Sequence, residues 1–242
     1  MRRTKIICTM GPATDNEDVL RDLMLNGMDV ARLNFSHGSH EEALERINRI
    51  KKVRDELNIP VAILLDTKGP EVRIKDFKEG KVELKEGQKF TLCTDDVVGD
   101  ENQVSITYAN LPNDVKVGSK ILIDDGLIEM EVISVKNSKI LCKVKNGGVV
   151  SNKKGVNVPN VALSMPYMSQ KDIDDILFGI EQDVDFIAAS FVRTANDIRE
   201  IKTLLRDNGG RDIRIIAKIE NAEGVDNIDD IIRETHGIMV AR

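Results

Sequence analysis

Charged side chains follow an apolar run in the segment IIAKIEN (residues 215–221). Lys218 and Glu220 are two positions apart, so on a strand both side chains point to the same face. An isolated ion pair beside a buried run is costly, because both charges lose their water. Two interpretations stay open: an ordinary ion pair, or a carboxylate that holds Mg²⁺ beside an ammonium that faces a phosphoryl group.

Two further segments end in oxygen donors, VARLNFSH (30–37) and AILLDTKGPEVR (62–73). The donors are the amide, hydroxyl and carboxylate groups of Asn34, Ser36, Asp66 and Thr67. Such oxygens suit a hard cation. On spacing alone, however, a local hydrogen-bond network that caps the strand ends is the favoured interpretation. The segment FIAASF (186–191) adds Ser190 to the polar residues that follow strands.

Three cations, Arg32, Arg73 and Lys154, come from distant parts of the sequence. Each alone is typical of a solvated surface charge. Arg73 and Lys154, however, border the junctions of a predicted inserted domain, and a mobile domain that brings cations onto a polyphosphate also excludes water. For His37, contact with a phosphate and a structural role at the start of a helix both stay open, with the second slightly favoured.

The composition narrows the class of protein. The net charge of −6 and the 3% of aromatic residues argue against a nucleic-acid-binding module, which relies on cations and exposed rings. No segment approaches the length of a membrane span, and the first apolar run is too short for a signal peptide. The cysteines, Cys8, Cys93 and Cys142, lack metal-binding spacing and suggest a reducing compartment. We therefore expect a cytoplasmic protein without nucleic-acid or membrane partners.

Strand and helix patterns alternate in the first third of the sequence and again after residue 169, which predicts a parallel sheet. Near the end, VDNIDDIIRET (225–235) is typical of one helix. Between the two parts, short alternating runs are separated by turns, and ILIDDGLIEM (121–130) is typical of a hairpin. The sequence therefore predicts an α/β protein, an incomplete (β/α)8 TIM barrel of about six strands, with an all-β barrel-like domain inserted after the third strand.

The domain boundaries follow from the two changes of pattern. We predict the first part of the barrel over residues 1–69, an inserted all-β lid domain over 70–166, and the second part of the barrel over 167–242. Neither a dinucleotide-binding fingerprint nor a P-loop motif occurs in the sequence. A complete barrel has eight strands, and the roughly 150 residues outside the insert suit six, so we expect a truncated barrel.

Seven segments, spread in order over the whole chain, resemble pyruvate kinase. They are TKIICTMGPAT, VARLNFSHG, LLDTKGPEVR, NKKGVNVP, FIAASFVR, AKIENAEGVDNIDDI and GIMVAR. The resemblance includes the β insert, which is similar to the lid (B) domain of that family. It implies the N-terminal half of a bacterial-type glycolytic enzyme that transfers a phosphoryl group from phosphoenolpyruvate to ADP, giving pyruvate and ATP, with Mg²⁺ and K⁺ as cofactors.

The resemblance also assigns roles to the polar residues. It makes Lys218 the residue that stabilises the transferring phosphoryl group, Glu220 a Mg²⁺ ligand and Arg32 a contact to the substrate phosphate. The residues that it places at the nucleotide are Arg73, Lys154 and His37. The K⁺ ligands that it implies are Asn34, Ser36, Asp66 and Thr67. For these four residues, the resemblance reverses the preference that was drawn from spacing.

The sequence departs from the family pattern in two ways. After MVAR the family continues with a GDLG segment that carries a second Mg²⁺ ligand, and later with a C-terminal domain that builds the usual homotetramer. Both lie outside these 242 residues. In addition, His236 stands where the family commonly has an acidic residue. We therefore expect the 242-residue chain alone to have little or no activity.

Three alternatives stay open. Another barrel that handles phosphoenolpyruvate or pyruvate, such as a lyase, would lack the inserted domain and the NFSHG and DTKGPE segments. A non-catalytic nucleotide- and metal-binding fragment would bind ADP in the presence of Mg²⁺ without turnover. A nucleic-acid module on the β insert is disfavoured by the acidic charge and the few rings.

Overall fold

The computed structural model describes residues 3–241 of the chain. Within this range the strands are β1 (Ile7–Thr9), β2 (Val30–Asn34), β3 (Ala62–Asp66), β4 (Lys81–Leu84), β5 (Lys89–Cys93), β6 (Gln103–Ser105), β7 (Lys120–Ile123), β8 (Ile128–Lys136), β9 (Lys139–Val144), β10 (Gly148–Ser151), β11 (Val156–Asn157), β12 (Phe186–Ala189), β13 (Arg214–Ile219) and β14 (Gly237–Val240). The helices are α1 (Glu17–Leu25), α2 (His40–Leu57), α3 (Leu111–Asp114), α4 (Gln170–Glu181), α5 (Ala195–Asp207), α6 (Ala222–Asp226) and α7 (Ile228–Glu234). None of these described helices has the length and apolar character that crossing a membrane requires.

Polar side chains cap the first turns of several helices. Asn16 accepts a hydrogen bond of 2.7 Å from the backbone N–H of Asp18 at the start of α1. At the start of α4, Ser169 and Asp172 form a reciprocal capping box, in which each side chain accepts a bond from the other residue's backbone N–H. These bonds satisfy N–H groups that have no partner within the helix.

The described chain divides into two compact units, each with its own hydrophobic core. The first unit comprises the residues up to Gly69, then Tyr167–Glu220 and Asn227–Ala241. The second comprises Pro70–Pro166 together with Asn221–Asp226.

The first unit is built on a curled sheet of six parallel strands in the order β1-β2-β3-β12-β13-β14. Strands that follow one another within this unit are neighbours in the sheet, which is the winding of a (β/α) barrel and not of a doubly wound sheet. Ile63, Leu64 and Leu65 on β3 are fully buried, because the strand is covered on both faces. The predicted fold, an incomplete (β/α)8 barrel with six strands and an insert after the third, is confirmed.

The second unit is all-β apart from short helices. One sheet has the order β11-β7-β8-β9-β5-β6, with only the β5–β6 pair parallel, and β4 pairs with β10. The predicted hairpin is present: Ile123 on β7 faces Ile128 on β8, and Asp124 and Asp125 of the turn have positive φ angles of 56° and 54°. Inward residues of the sheet, such as Phe90 and Met130, form the core of this unit.

The helix predicted over residues 225–235 is present as α7 (Ile228–Glu234), but its predicted start is wrong. The structure has two short helices here, α6 and α7, with Asn227 between them. The side chain of Asn227 donates a hydrogen bond of 3.0 Å to the carbonyl oxygen of Arg193. This contact with a distant segment fixes a break that the local apolar periodicity does not reveal.

The structure gives His236 a role in the barrel sheet. Its ring Nδ1 accepts a hydrogen bond of 3.1 Å from the backbone N–H of Ile215. The backbone N–H of His236 donates to the carbonyl oxygen of Ile215. Burial, with smaller contributions from Lys202 and Arg214, lowers the pKa of His236 below its usual value. The ring is therefore held neutral, as an acceptor at the start of β14.

Replacement of Gly69 by alanine is expected to destabilise the barrel unit. Gly69 has a φ of +69°, and a Cβ atom built there would lie 2.6 Å from the carbonyl oxygen of Ser190. The left-handed conformation alone costs an alanine about 1–2 kcal/mol, and the backbone clash adds to it. The loss is measured as a lower midpoint of denaturant unfolding for Gly69→Ala.

Gly209→Ala is the matched control, because Gly209 has a similar φ of +86° with nothing within 4 Å of the added Cβ. We expect Gly69→Ala to lower the midpoint more than Gly209→Ala. Equal losses would show that the approach of Gly69 to Ser190 does not constrain the fold.

The lowered pKa of His236 predicts a pH dependence of stability. Because the folded state favours the neutral ring, its contribution is present above the unfolded-state pKa of about 6.5 and is lost as the pH falls through the folded-state value. His236→Asn retains an acceptor oxygen but does not titrate, so its unfolding midpoint should change less between pH 7.5 and 5. A pH dependence in His236→Asn equal to that of the wild type would contradict the assignment.

Candidate active site

Asp66 is the centre of the polar cluster at the carboxyl ends of the barrel strands. It is the last residue of β3 and is only 1% exposed. Arg32, on the neighbouring β2, donates to its Oδ2 from Nε at 2.6 Å and approaches the same oxygen with Nη2 at 2.5 Å. In the parallel pairing of β2 and β3, Asn34 lies directly beside Asp66. Arg32 is two residues before Asn34 on β2, so its side chain points to the same face of the sheet.

Lys218 reaches the same carboxylate from the other side. It lies on β13, with β12 between it and β3, and the residue is 8% exposed. Its Nζ donates to Asp66 Oδ1 at 3.0 Å and to Ser190 Oγ at 2.8 Å. Asp66 therefore has a cation on each oxygen, which compensates the burial of its charge.

Glu220 follows β13 and is held by a backbone group. Its Oε2 accepts a hydrogen bond of 2.9 Å from the N–H of Phe191, a residue with a positive φ of 54°. Its Oε1 lies 3.5 Å from Lys218 Nζ. The structure thus brings Lys218 and Glu220 together with Arg32 and Asp66 at one edge of the sheet.

Ser190 links these groups, although the sequence analysis identified it only as a polar residue after a strand. Its Oγ accepts from Lys218 and lies 2.6 Å from the carbonyl oxygen of Thr67 and 3.1 Å from Asp66 Oδ1. A hydroxyl has one proton, and the shorter contact takes it. The carboxylate of Asp66 thus keeps an unshared lone pair. The only sequence signal for Ser190 is its position directly after the buried run of β12.

The remaining oxygen donors lie on the same strand ends. Asn34 is exposed, and its Oδ1 accepts a bond of 3.0 Å from the N–H of Ser36. Thr67 is buried, and its Oγ1 accepts a bond of 3.1 Å from the N–H of Ser190. These side chains therefore form hydrogen bonds that cap the strands, and they also present hard oxygens from two adjacent strands.

The donor set fits hard cations. It consists of carboxylate, amide and hydroxyl oxygens, which suit K⁺ and Mg²⁺ better than softer metals. Among residues 3–241, no group of three or more His, Cys, Asp or Glu side chains is arranged to hold a metal ion. Protein carboxylates alone would therefore not complete the coordination of Mg²⁺, which usually keeps waters and binds substrate phosphates.

Arg73 and Lys154 belong to the second unit, where the structure brings them to neighbouring segments. Arg73 pairs with Gly155 in an isolated antiparallel bridge, and it contacts Glu71 through its guanidinium. Lys154 Nζ lies 3.0 Å from Asp124. The backbones of Arg73 and Lys154 thus lie on adjacent segments, and each cation has a carboxylate partner of its own.

His37 is exposed on the loop between β2 and α2. Helix α2 begins three residues later, at His40, and Ser39 provides its cap. The structure therefore gives His37 no part in starting that helix.

The chain matches a family model and several known proteins. A family model described as "Pyruvate kinase, barrel domain" matches residues 1–242. The chain is 54% identical over 243 residues to a pyruvate kinase of Geobacillus stearothermophilus and 49% identical over 243 residues to one of Clostridium perfringens. These matches cover 100% of this chain but 41% and 51% of the two relatives, so the chain spans about half of their length. The chain belongs to the pyruvate kinase family.

Proposed function

We propose that this chain carries the phosphoryl-transfer centre of a pyruvate kinase, which converts phosphoenolpyruvate and ADP to pyruvate and ATP. The observation that carries the proposal is the position of Lys218. Its ammonium is buried, held by Asp66 and Ser190, and adjacent to Glu220. Membership of the pyruvate kinase family supports the reaction.

Lys218 and Arg32 would stabilise negative charge on the transferred phosphoryl group. Phosphoryl transfer is catalysed mainly by positioning and by charge neutralisation, so fixed cations near the phosphate oxygens are the required groups. Asp66 holds both cations in place before a substrate arrives, which reduces the reorganisation needed during the reaction. Release of enolpyruvate and its ketonisation then favour the formation of ATP.

Glu220 would hold Mg²⁺, and K⁺ would bind to the oxygens of Asn34, Ser36, Asp66 and Thr67. When bound, the two ions supply positive charge that neutralises the phosphate oxygens. Glu220 suits its role because only Oε2 is engaged by the backbone, while Oε1 faces the site next to Lys218. Asp66 suits its role because the hydroxyl of Ser190 donates to the carbonyl oxygen of Thr67 and leaves a lone pair of the carboxylate free for a cation.

For the insert, we propose that residues 70–166 form a lid domain and that Arg73 and Lys154 contact the nucleotide phosphates. Glu71 and Asp124 would hold these cations in the absence of nucleotide. His37 would belong to the nucleotide-binding stretch. A cytoplasmic location is supported by cysteines that are all free.

The expectation that residues 1–242 alone turn over poorly stays a prediction, as does the homotetramer of the family. A coupled assay of the purified chain tests the first. Normal turnover would contradict it. Binding of ADP that requires Mg²⁺, without turnover by the complete gene product, would favour the alternative of a non-catalytic binding fragment.

Lys218→Met is expected to lower kcat in the complete gene product at least about a hundredfold, because removal of a fixed transition-state charge commonly costs this much. The methionine side chain is unbranched like that of lysine and one atom shorter, and it carries no charge. Turnover is measured as formation of pyruvate from phosphoenolpyruvate and ADP.

Lys202→Met is the control, since Lys202 is a lysine on α5 that forms an ion pair with Glu234 on α7. It should keep turnover within about twofold, as surface substitutions usually have small effects. Wild-type turnover in Lys218→Met would remove this lysine from the mechanism.

Glu220→Gln is expected to raise the Mg²⁺ concentration needed for half-maximal activity by at least about tenfold, because a neutral amide is a weaker ligand for a hard cation than a carboxylate. The amide oxygen can still accept the bond from the N–H of Phe191, which preserves the local fold. A magnesium titration of activity measures the effect. Glu200→Gln, at an exposed site on α5, should not change it; an unchanged Mg²⁺ requirement in Glu220→Gln would exclude the role.

A further inference from the structure

We propose that Asp172 is a positioning residue that ties together the two segments through which the chain leaves and re-enters the barrel, and that it thereby fixes the backbone on which Lys218 is held. The proposal has a structural part, the tie, and a functional part, which rests on the proposed phosphoryl transfer.

The carboxylate of Asp172 is buried, with 2% exposure, and both of its oxygens accept hydrogen bonds. Oδ1 accepts from the N–H of Gly69 at 2.9 Å. Oδ2 accepts from Ser169, at 3.0 Å from its N–H and at 2.6 Å from its hydroxyl. Gly69 is the residue directly before the predicted insert, and Ser169 follows its end. One carboxylate therefore joins two hinge segments that are distant in sequence.

The same two segments also meet at Ser190. The hydroxyl of Tyr167, next to the return point, donates to the carbonyl oxygen of Ser190 at 3.0 Å. Gly69 approaches that same oxygen so closely that a Cβ would lie 2.6 Å from it. Because Ser190 Oγ accepts from Lys218, a shift of either hinge segment would move an atom that holds the ammonium.

Capping alone does not explain these contacts. Asp197 occupies the same third position of α5 and accepts bonds from the N–H groups of Arg193 and Thr194, both in the loop before its own helix. Asp172 caps α4 in the same way, but its second oxygen reaches Gly69, 103 positions earlier. The bond from Gly69 N–H to Asp172 therefore distinguishes Asp172 from a residue that only caps its own helix.

Asp172→Asn separates the two roles in the complete gene product. An amide has one acceptor oxygen, and Ser169 offers it two donors while Gly69 offers one, so the oxygen stays with Ser169 and Gly69 faces the N–H₂ group. Loss of a hydrogen bond to a charged group should make backbone exchange about tenfold faster or more in peptides covering residues 66–72. We expect kcat to fall about tenfold as well, since small displacements of catalytic groups are costly.

Asp197→Asn is the matched control, because it makes the same chemical change at the equivalent cap one βα unit later, where both bonds go to a single oxygen that the amide retains. It should leave exchange in residues 66–72 and kcat unchanged. Faster exchange in Asp172→Asn that is confined to residues 167–172 would show a helix cap and overturn the tie. Faster exchange at residues 66–72 with wild-type kcat would overturn the positioning of Lys218.

Ser169→Ala provides a second test if Asp172→Asn does not fold. It deletes the hydroxyl bond but leaves the carboxylate on Gly69, so exchange should rise at residues 167–172 only, with a smaller fall in kcat. Unchanged kcat despite that faster exchange would contradict the proposal. If the wild type shows no phosphoryl transfer, the proposed function fails, while the exchange data still decide whether the tie exists.

Discussion

A carboxylate without access to water constrains the barrel unit. Asp66 is 1% exposed, and leaving such a charge unpaired is unfavourable by several kcal/mol. Arg32 from β2 and Lys218 from β13 each bind one of its oxygens. The ends of three strands must therefore stay in register with one another. A shift of any one strand would leave a buried charge without its partner.

This constraint also explains why the site is suited to phosphates. The two cations are oriented by Asp66, and Ser190 holds Lys218 from a fourth strand end. Cations that are already in place stabilise developing charge without the cost of reorganisation. The inferred tie at Asp172 extends the same principle to the hinges of the insert, since both hinge segments contact the backbone of Ser190.

Much of this could be predicted from the sequence, because it depends on local patterns. Apolar runs and helical periodicity predicted the six-stranded barrel, and the Asp-Gly turn predicted the β7–β8 hairpin. Position at the end of a predicted strand was enough to single out Asp66 and Lys218. The roles of Ser190, Asp172 and His236 were not predictable, because their partners lie 124, 103 and 21 residues away. The break at Asn227 was missed for the same reason, since a distant carbonyl fixes it.

Anomalous scattering from crystals of the complete gene product, grown with Tl⁺ in place of K⁺ and Mn²⁺ in place of Mg²⁺, tests most directly whether these strand ends form an ion and phosphate centre. We predict a Mn²⁺ peak at the carboxylate of Glu220. We predict a Tl⁺ peak at the oxygens of Asn34, Ser36, Asp66 and Thr67. Ordered ions at other places, with this edge of the sheet empty, would contradict the account.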